Sequence, residues 1–204
     1  MYWHKTPALL GKIFPDILWK MDTDVKDIYL TFDDGPVPDV TDWVLQELAK
    51  FSAKASFFMV GENIFKYKEI YSQVVAQGHS VGNHTYNHLN GWDCSTRFYH
   101  DNIIKCRSHL PADTTLFRPP HGRLSWQQYK LLRQSYSVVM WDVLSGDFDQ
   151  SLAKEHCLKK SIEFSAKGTI IVFHDSLKSI DKLDYVLPRY LDHFASNGYS
   201  FKPL

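Results

Sequence analysis

The run Ile28-Tyr29-Leu30-Thr31-Phe32 leads directly into Asp33-Asp34-Gly35-Pro36. Its β-branched, aromatic and aliphatic residues predict a buried strand. Gly35, Pro36 and Pro38 then turn the chain and forbid further strand pairing. Two adjacent carboxylates are thereby delivered to the end of a buried strand. Like charges that close, in a desolvated place, call for a cation or a proton beside them. Taken alone, the dipeptide is more readily read as an Asp-Gly turn followed by a helix N-terminus, with the carboxylates capping amides.

The same rhythm continues outward. Apolar runs recur at Ala55–Val60, His79–Gly82, Thr115–Phe117, Ser137–Trp141, Thr169–Phe173 and Tyr199–Phe201. Helical stripes separate most of them: Val40, Val44, Leu45 and Leu48; Ile70, Val74 and Val75; Leu131 and Leu132; Leu152, Leu158 and Ile162; Leu183, Val186, Leu187, Tyr190 and Leu191. Gly78, Gly168 and Gly198 fall where helices should stop. Repeated strand–helix alternation predicts an α/β fold with a parallel sheet, either an open doubly wound sheet or a small barrel. No G-x-G-x-x-G or phosphate-binding loop follows the first strand, which removes the main support for a nucleotide-binding open sheet.

With 204 residues, no linker and no internal repeat, one domain is expected. Residues 1–27 carry Tyr2, Trp3, Phe14 and Trp19 and read as a segment that covers a domain spanning 28–204. Equal numbers of basic and acidic residues, 23 each and without blocks, give no sign of a nucleic-acid partner. No apolar run reaches the length of a membrane span. Ala8-Leu9-Leu10 is broken by Gly11 and Lys12, so a secretory signal is not recognisable and a cytoplasmic location is the expectation. Cys94, Cys106 and Cys157 form no C-x-x-C and are expected to be buried free thiols.

Chemistry-bearing residues follow the strands. His84 and His88 have the i,i+4 spacing that places two imidazoles on one face of a helical turn, within reach of one Zn²⁺. Arg118 precedes Pro119-Pro120-His121-Gly122 and is able to hold a carboxylate bidentately. Asp142 and Asp147 bracket a loop, and Thr169–Phe173 delivers His174-Asp175. Each signal alone is weak. Together, Asp33, Asp34, His84, His88, Arg118, Asp147 and His174 lie at or just past C-terminal ends of different strands, which in a barrel converge on one mouth.

In these residues the chain resembles the polysaccharide deacetylases, the NodB-type homology domain of carbohydrate esterase family four. The blocks are T-F-D-D-G-P at 31–36, H-T-x-x-H at 84–88, R-P-P-x-G at 118–122, W-D-x-x-S-x-D at 141–147, and an apolar strand ending in His-Asp at 174–175. The resemblance implies a distorted, TIM-like (β/α)₇ barrel that removes acetyl groups from N-acetylated amino sugars, chitin-like or of peptidoglycan type. It implies a divalent metal, Zn²⁺ before Co²⁺ or another ion, held by Asp34, His84 and His88. Asp33 would be the general base held by Arg118, and His174 the general acid oriented by Asp147. A backbone N–H near His121 would meet the developing oxyanion. His121, Phe148 and Val172 depart from the commonest pattern of Tyr, Trp and Leu, so a wider mouth and an altered acetyl pocket are expected. The alternatives are a catalytically silent carbohydrate-binding barrel, or action on O-acetyl sugars or another amide.

Overall fold

The side chains of the first strand sort by period two. In a computed structural model that describes residues 2–204, β1 is Asp27–Asp33. Its Ile28, Leu30 and Phe32 join one apolar cluster with Val44, Leu45, Leu48, Leu183, Val186, Leu187 and Tyr190. Those partners lie on α2 (Val40–Lys50) and α8 (Ile180–Ser196). The alternate residues, Tyr29, Thr31 and Asp33, therefore face the other side, into the barrel. The same split recurs on β7 (Ile170–His174), whose Ile171 and Phe173 meet the helices while Val172 and His174 line the interior cleft.

Eight strands form one sheet. The others are β2 (Ser56–Met59), β3 (Ser80–Asn83), β4 (Leu116–Phe117), β5 (Ser137–Val138), β6 (Val143–Leu144) and β8 (Ser200–Lys202). The order is β5-β4-β3-β2-β1-β7-β6, every pair parallel, with β8 on β1. β8 takes the first half of the β1 edge, at Asp27–Tyr29, and β2 takes the second, at Thr31–Asp33. This is the distorted seven-stranded barrel, left open between β5 and β6.

Across that opening runs the N-terminal segment. Leu18 bridges to Val139, Lys5 to Val143 and Lys20 to Thr169. It includes α1 (Ala8–Ile13). The bridges occupy edge groups that would otherwise be left unpaired.

The remaining helices are α3 (Gly61–Lys66), α4 (Lys68–Ala76), α5 (Thr96–Arg107), α6 (Trp126–Leu132) and α7 (Lys154–Phe164). The predicted stripes fall on α2, α4, α6, α7 and α8, except that Leu152 lies in the turn before α7. Three features depart from expectation. The run Ser137–Trp141 is not one strand: pairing stops at Val138, and a separate short strand forms at Val143–Leu144. Two-residue strands give no alternation to detect. α5 carries no recognised stripe because only Tyr99, Ile103 and Cys106 are buried in a mostly polar sequence. Cys94 is partly exposed rather than buried, while Cys106 and Cys157 are buried; all three are free thiols. Among the described residues no helix is long and apolar enough to cross a membrane.

Close packing between β2 and β3 sets the site from below. A Cβ on Gly82 would lie 2.6 Å from Cδ1 of Phe58. The Phe58 ring in turn sits 4.1 Å beneath the Arg118 guanidinium. Gly82→Ala is expected to destabilise the chain by about 1–3 kcal/mol through overpacking, read from denaturant midpoints.

Candidate active site

Asp33 and Asp34 part company at the strand end. Asp33 keeps strand geometry and points inward, where Arg118 Nη1 donates to its Oδ1 at 2.6 Å. Arg118 is fully buried, and burial favours loss of its charge while Asp33 opposes that. Each of its three nitrogens has a partner: Nη1 also reaches Thr31 Oγ1 at 2.8 Å, Nη2 the Met140 carbonyl at 2.9 Å, and Nε the Val139 carbonyl at 3.3 Å. The fork is therefore not bidentate on one carboxylate, as its residue type suggested. It binds Asp33 through one nitrogen and spends the rest on β1 and the chain after β5.

Asp34 has a left-handed backbone, φ 86°. Asn63 Nδ2 holds its carbonyl at 2.8 Å. The turn swings the carboxylate away from Asp33 toward His84 and His88, whose Nε2 atoms lie 3.8 and 3.2 Å from Oδ1. The two histidines do not share a helical turn. Thr85 and His88 have positive φ, and side chains replace the helical bonds: Asn83 Oδ1 accepts from Thr85 N–H, Asn102 Oδ1 from Tyr86 N–H, and Thr85 Oγ1 from Leu89 N–H. The imidazoles still converge, with ring centroids 5.1 Å apart.

These three residues fit a metal. One donor atom from each of Asp34, His84 and His88 lies within 4.8 Å of the others. His84 Nδ1–H donates to the Arg118 carbonyl at 2.8 Å, which leaves Nε2 as the lone-pair nitrogen. Burial pushes His84 down to about 4, so it is neutral. A bare nitrogen then faces a carboxylate oxygen that is itself buried and without a hydrogen bond. Lone pairs opposed in this way suit a cation between them. Burial opposes the charge of Asp34, but His88, His174 and His84 outweigh it and hold the carboxyl well below its usual range.

Across the cleft, His174 is the opposite case. Burial alone would lower it, yet the Asp147 carboxylate raises it to about 9. Asp147 is fully buried; its Oδ1 accepts from His174 Nδ1–H at 2.8 Å and its Oδ2 from the His174 backbone N–H at 2.8 Å. Ser145 Oγ donates to Oδ1 at 2.9 Å. Asp142, the other loop aspartate, lies apart, paired with Lys5 and Thr169.

A cleft of about 630 Å³ joins these groups, bordered by Asp33, Asp34, His84, His88, His121, Phe148, Val172 and His174. His121 stands edge-on to His88 at 4.7 Å and has left-handed φ and ψ of 58° and 10°. The next two N–H groups of that loop are bonded to the Pro119 and Pro120 carbonyls. Phe148 stands edge-on to His174 at 5.1 Å. The mouth is not left wide beside it, because Tyr2 fills that side at 5.2 Å from the Phe148 ring. Thr31, Ser145, Tyr2 and Asp175 were given no role in the site from sequence, although the first two and the last stand in the quoted blocks. Asp175 Oδ1 accepts from Gly35 N–H and its Oδ2 from Thr41 Oγ–H, clamping the turn after Asp34; burial, and then Asp34, raise it to about 8.

The family model described as polysaccharide deacetylase matches residues 20–136, more than half of the 204-residue chain. The chain therefore belongs to the polysaccharide deacetylase family. A peptidoglycan-N-acetylglucosamine deacetylase of Bacillus cereus is 29% identical over 190 residues, spanning 91% of this chain and 89% of that one. A chitooligosaccharide deacetylase of Azorhizobium caulinodans is 29% identical over 198 residues, spanning 87% and 92%. The crystal structure of a peptidoglycan N-acetylglucosamine deacetylase in complex with 4-naphthalen-1-yl-N-oxidanyl-benzamide superposes with a TM-score of 0.84 at 27% identity, covering 96% of this chain and 94% of that one.

His84→Ala and His88→Ala are each expected to lose bound divalent metal while the barrel stays folded. Elemental analysis beside circular dichroism checks this; full occupancy in both variants contradicts the ligand set.

Proposed function

We propose that this chain is a metal-dependent hydrolase that removes acetyl groups from N-acetylated amino sugars in a chitin-like or peptidoglycan-type glycan. The observation that carries the reading is the Asp34–His84–His88 cluster sharing one cleft with Asp33 on one side and a charged His174 on the other. The named activities of the relatives support the same chemistry.

Asp34, His84 and His88 would hold the metal. A divalent cation such as Zn²⁺, when bound, polarises an amide carbonyl and acidifies water. Asp33 takes the proton from the attacking water. Arg118 engages Oδ1, so Oδ2 is the oxygen left for that proton. The amine is a poor leaving group unless protonated, and His174 supplies that proton from Nε2 while Nδ1 stays on Asp147. The His121 backbone N–H, in its left-handed turn, is the donor assigned to the developing oxyanion. Val172 forms the apolar floor for the acetyl methyl.

The two acids should separate. Asp33→Asn should retain metal and lose turnover by about 10²–10⁴-fold, the range of general base catalysis. Asp34→Asn should lose metal. Acetate release from N-acetylglucosamine oligomers, with elemental analysis, tests the whole reading. A metal-loaded wild type that releases no acetate, or Asp33→Asn at full rate, refutes it.

The pH dependence has a definite sign. His174 is raised above its ordinary 6.5 to about 9 and acts as an acid, so activity should persist through neutral pH and fall as pH rises past about 9. Asp147→Asn removes the group that raises it. The alkaline limb of kcat/KM should then move to lower pH at unchanged metal content.

A further inference from the structure

Residues 2–6 lie antiparallel along β6 and the loop that follows it. Thr6 N–H donates to the Asp142 carbonyl at 2.9 Å, and Leu144 N–H to the His4 carbonyl at 2.9 Å. Lys5 Nζ pairs with Asp142 Oδ2 at 2.7 Å, and Thr6 Oγ–H with the Trp141 carbonyl at 2.7 Å. The segment ends with Tyr2 at the cleft. Its hydroxyl donates to Asp149 Oδ2 at 3.0 Å, and its ring meets Phe148 at 5.2 Å, tilted by 51°. Gly146 makes room for it: with φ 82°, a Cβ there would stand 2.7 Å from the Tyr2 hydroxyl and 2.9 Å from His4 Cε1. Tyr2 borders the cleft with Phe148, Ser176 and Lys178. Its hydroxyl bond and ring contacts go to Asp149, His4 and Phe148.

We propose that Tyr2 is a substrate-contacting residue, forming with Phe148 an aromatic wall against which the pyranose ring bearing the reacting amide packs. The assignment rests on the deacetylase reading. His174 protonates the amine, and the amine nitrogen is bonded to the sugar ring. Phe148 stands edge-on to His174, so the wall lies on the sugar side of the scissile bond. The C–H face of a pyranose is apolar and matches an aromatic surface, whereas the hydroxyl edge of Tyr2 is committed to Asp149. The ring area missing at Phe148 is thereby supplied from the other end of the chain. Specificity for the sugar is set by two rings held on separate segments.

Equilibrium binding of the β-1,4-linked N-acetylglucosamine tetramer, measured by calorimetry in the metal-loaded Asp33→Asn background, decides it, together with KM in the active protein. Tyr2→Ala should raise Kd and KM about three- to tenfold, the fold-change equivalent of an aromatic contact. Tyr2→Phe keeps the ring and should stay within about twofold, and neither should move the alkaline limb set by His174. Unchanged Kd and KM in Tyr2→Ala overturn the assignment. So does Tyr2→Phe as impaired as Tyr2→Ala, or a displaced alkaline limb at constant Kd; both mean that Tyr2 acts only as a clamp on the Asp147 loop. If wild type binds the tetramer but releases no acetate, the deacetylase reading fails while a Tyr2-dependent Kd still upholds the wall. No binding by the wild-type side chain refutes the wall itself.

Discussion

Burying the Arg118 guanidinium away from water costs several kcal/mol unless every donor is met. Here the cost is offset by Asp33, Thr31, two carbonyls after β5 and the face of Phe58. Those partners come from β1, β2 and the chain leading to β6. One cation thus pins three parts of the sheet to a common centre and fixes where Asp33 points. Its own carbonyl also orients His84. Removing the guanidinium would leave the buried Asp33 carboxylate unpaired.

Around that centre the protein holds two imidazoles at opposite ends of their titration range. His84 meets burial and a carbonyl acceptor and is driven neutral; His174 meets burial and a fully buried carboxylate and is driven charged. One suits a lone-pair donor and the other a proton donor at the same pH. Residue type does not distinguish them, but environment does.

The open side of the barrel ties the N-terminal segment to the same chemistry. A sheet that stops short of closure exposes unpaired strand edges between β5 and β6. Residues 2–20 occupy them through three bridges. The partner strand β6 leads into the loop with Asp147, so the segment that covers the edge also grips the support of His174. Asp142, which looked like half of a site pair, serves this grip through Lys5 and Thr169.

Much of this was legible in local pattern. Apolar runs such as Ile28–Phe32 and Thr169–Phe173 marked where the strands lie and where they end. The strand ends therefore carried Asp33, His84, Arg118 and His174 to one mouth. Stripes such as Leu183, Val186, Leu187 and Tyr190 determined the helix faces. Short strands and polar helices escaped, since β6 and α5 bury too few residues to print a period. The tertiary structure alone decided how Arg118 divides its donors, that His84 and His88 meet across a non-helical turn, and that Tyr2 stands against Phe148. Tyr2 and Asp149 are 147 positions apart. Contacts at that separation depend on where the sheet fails to close, and no local periodicity encodes that.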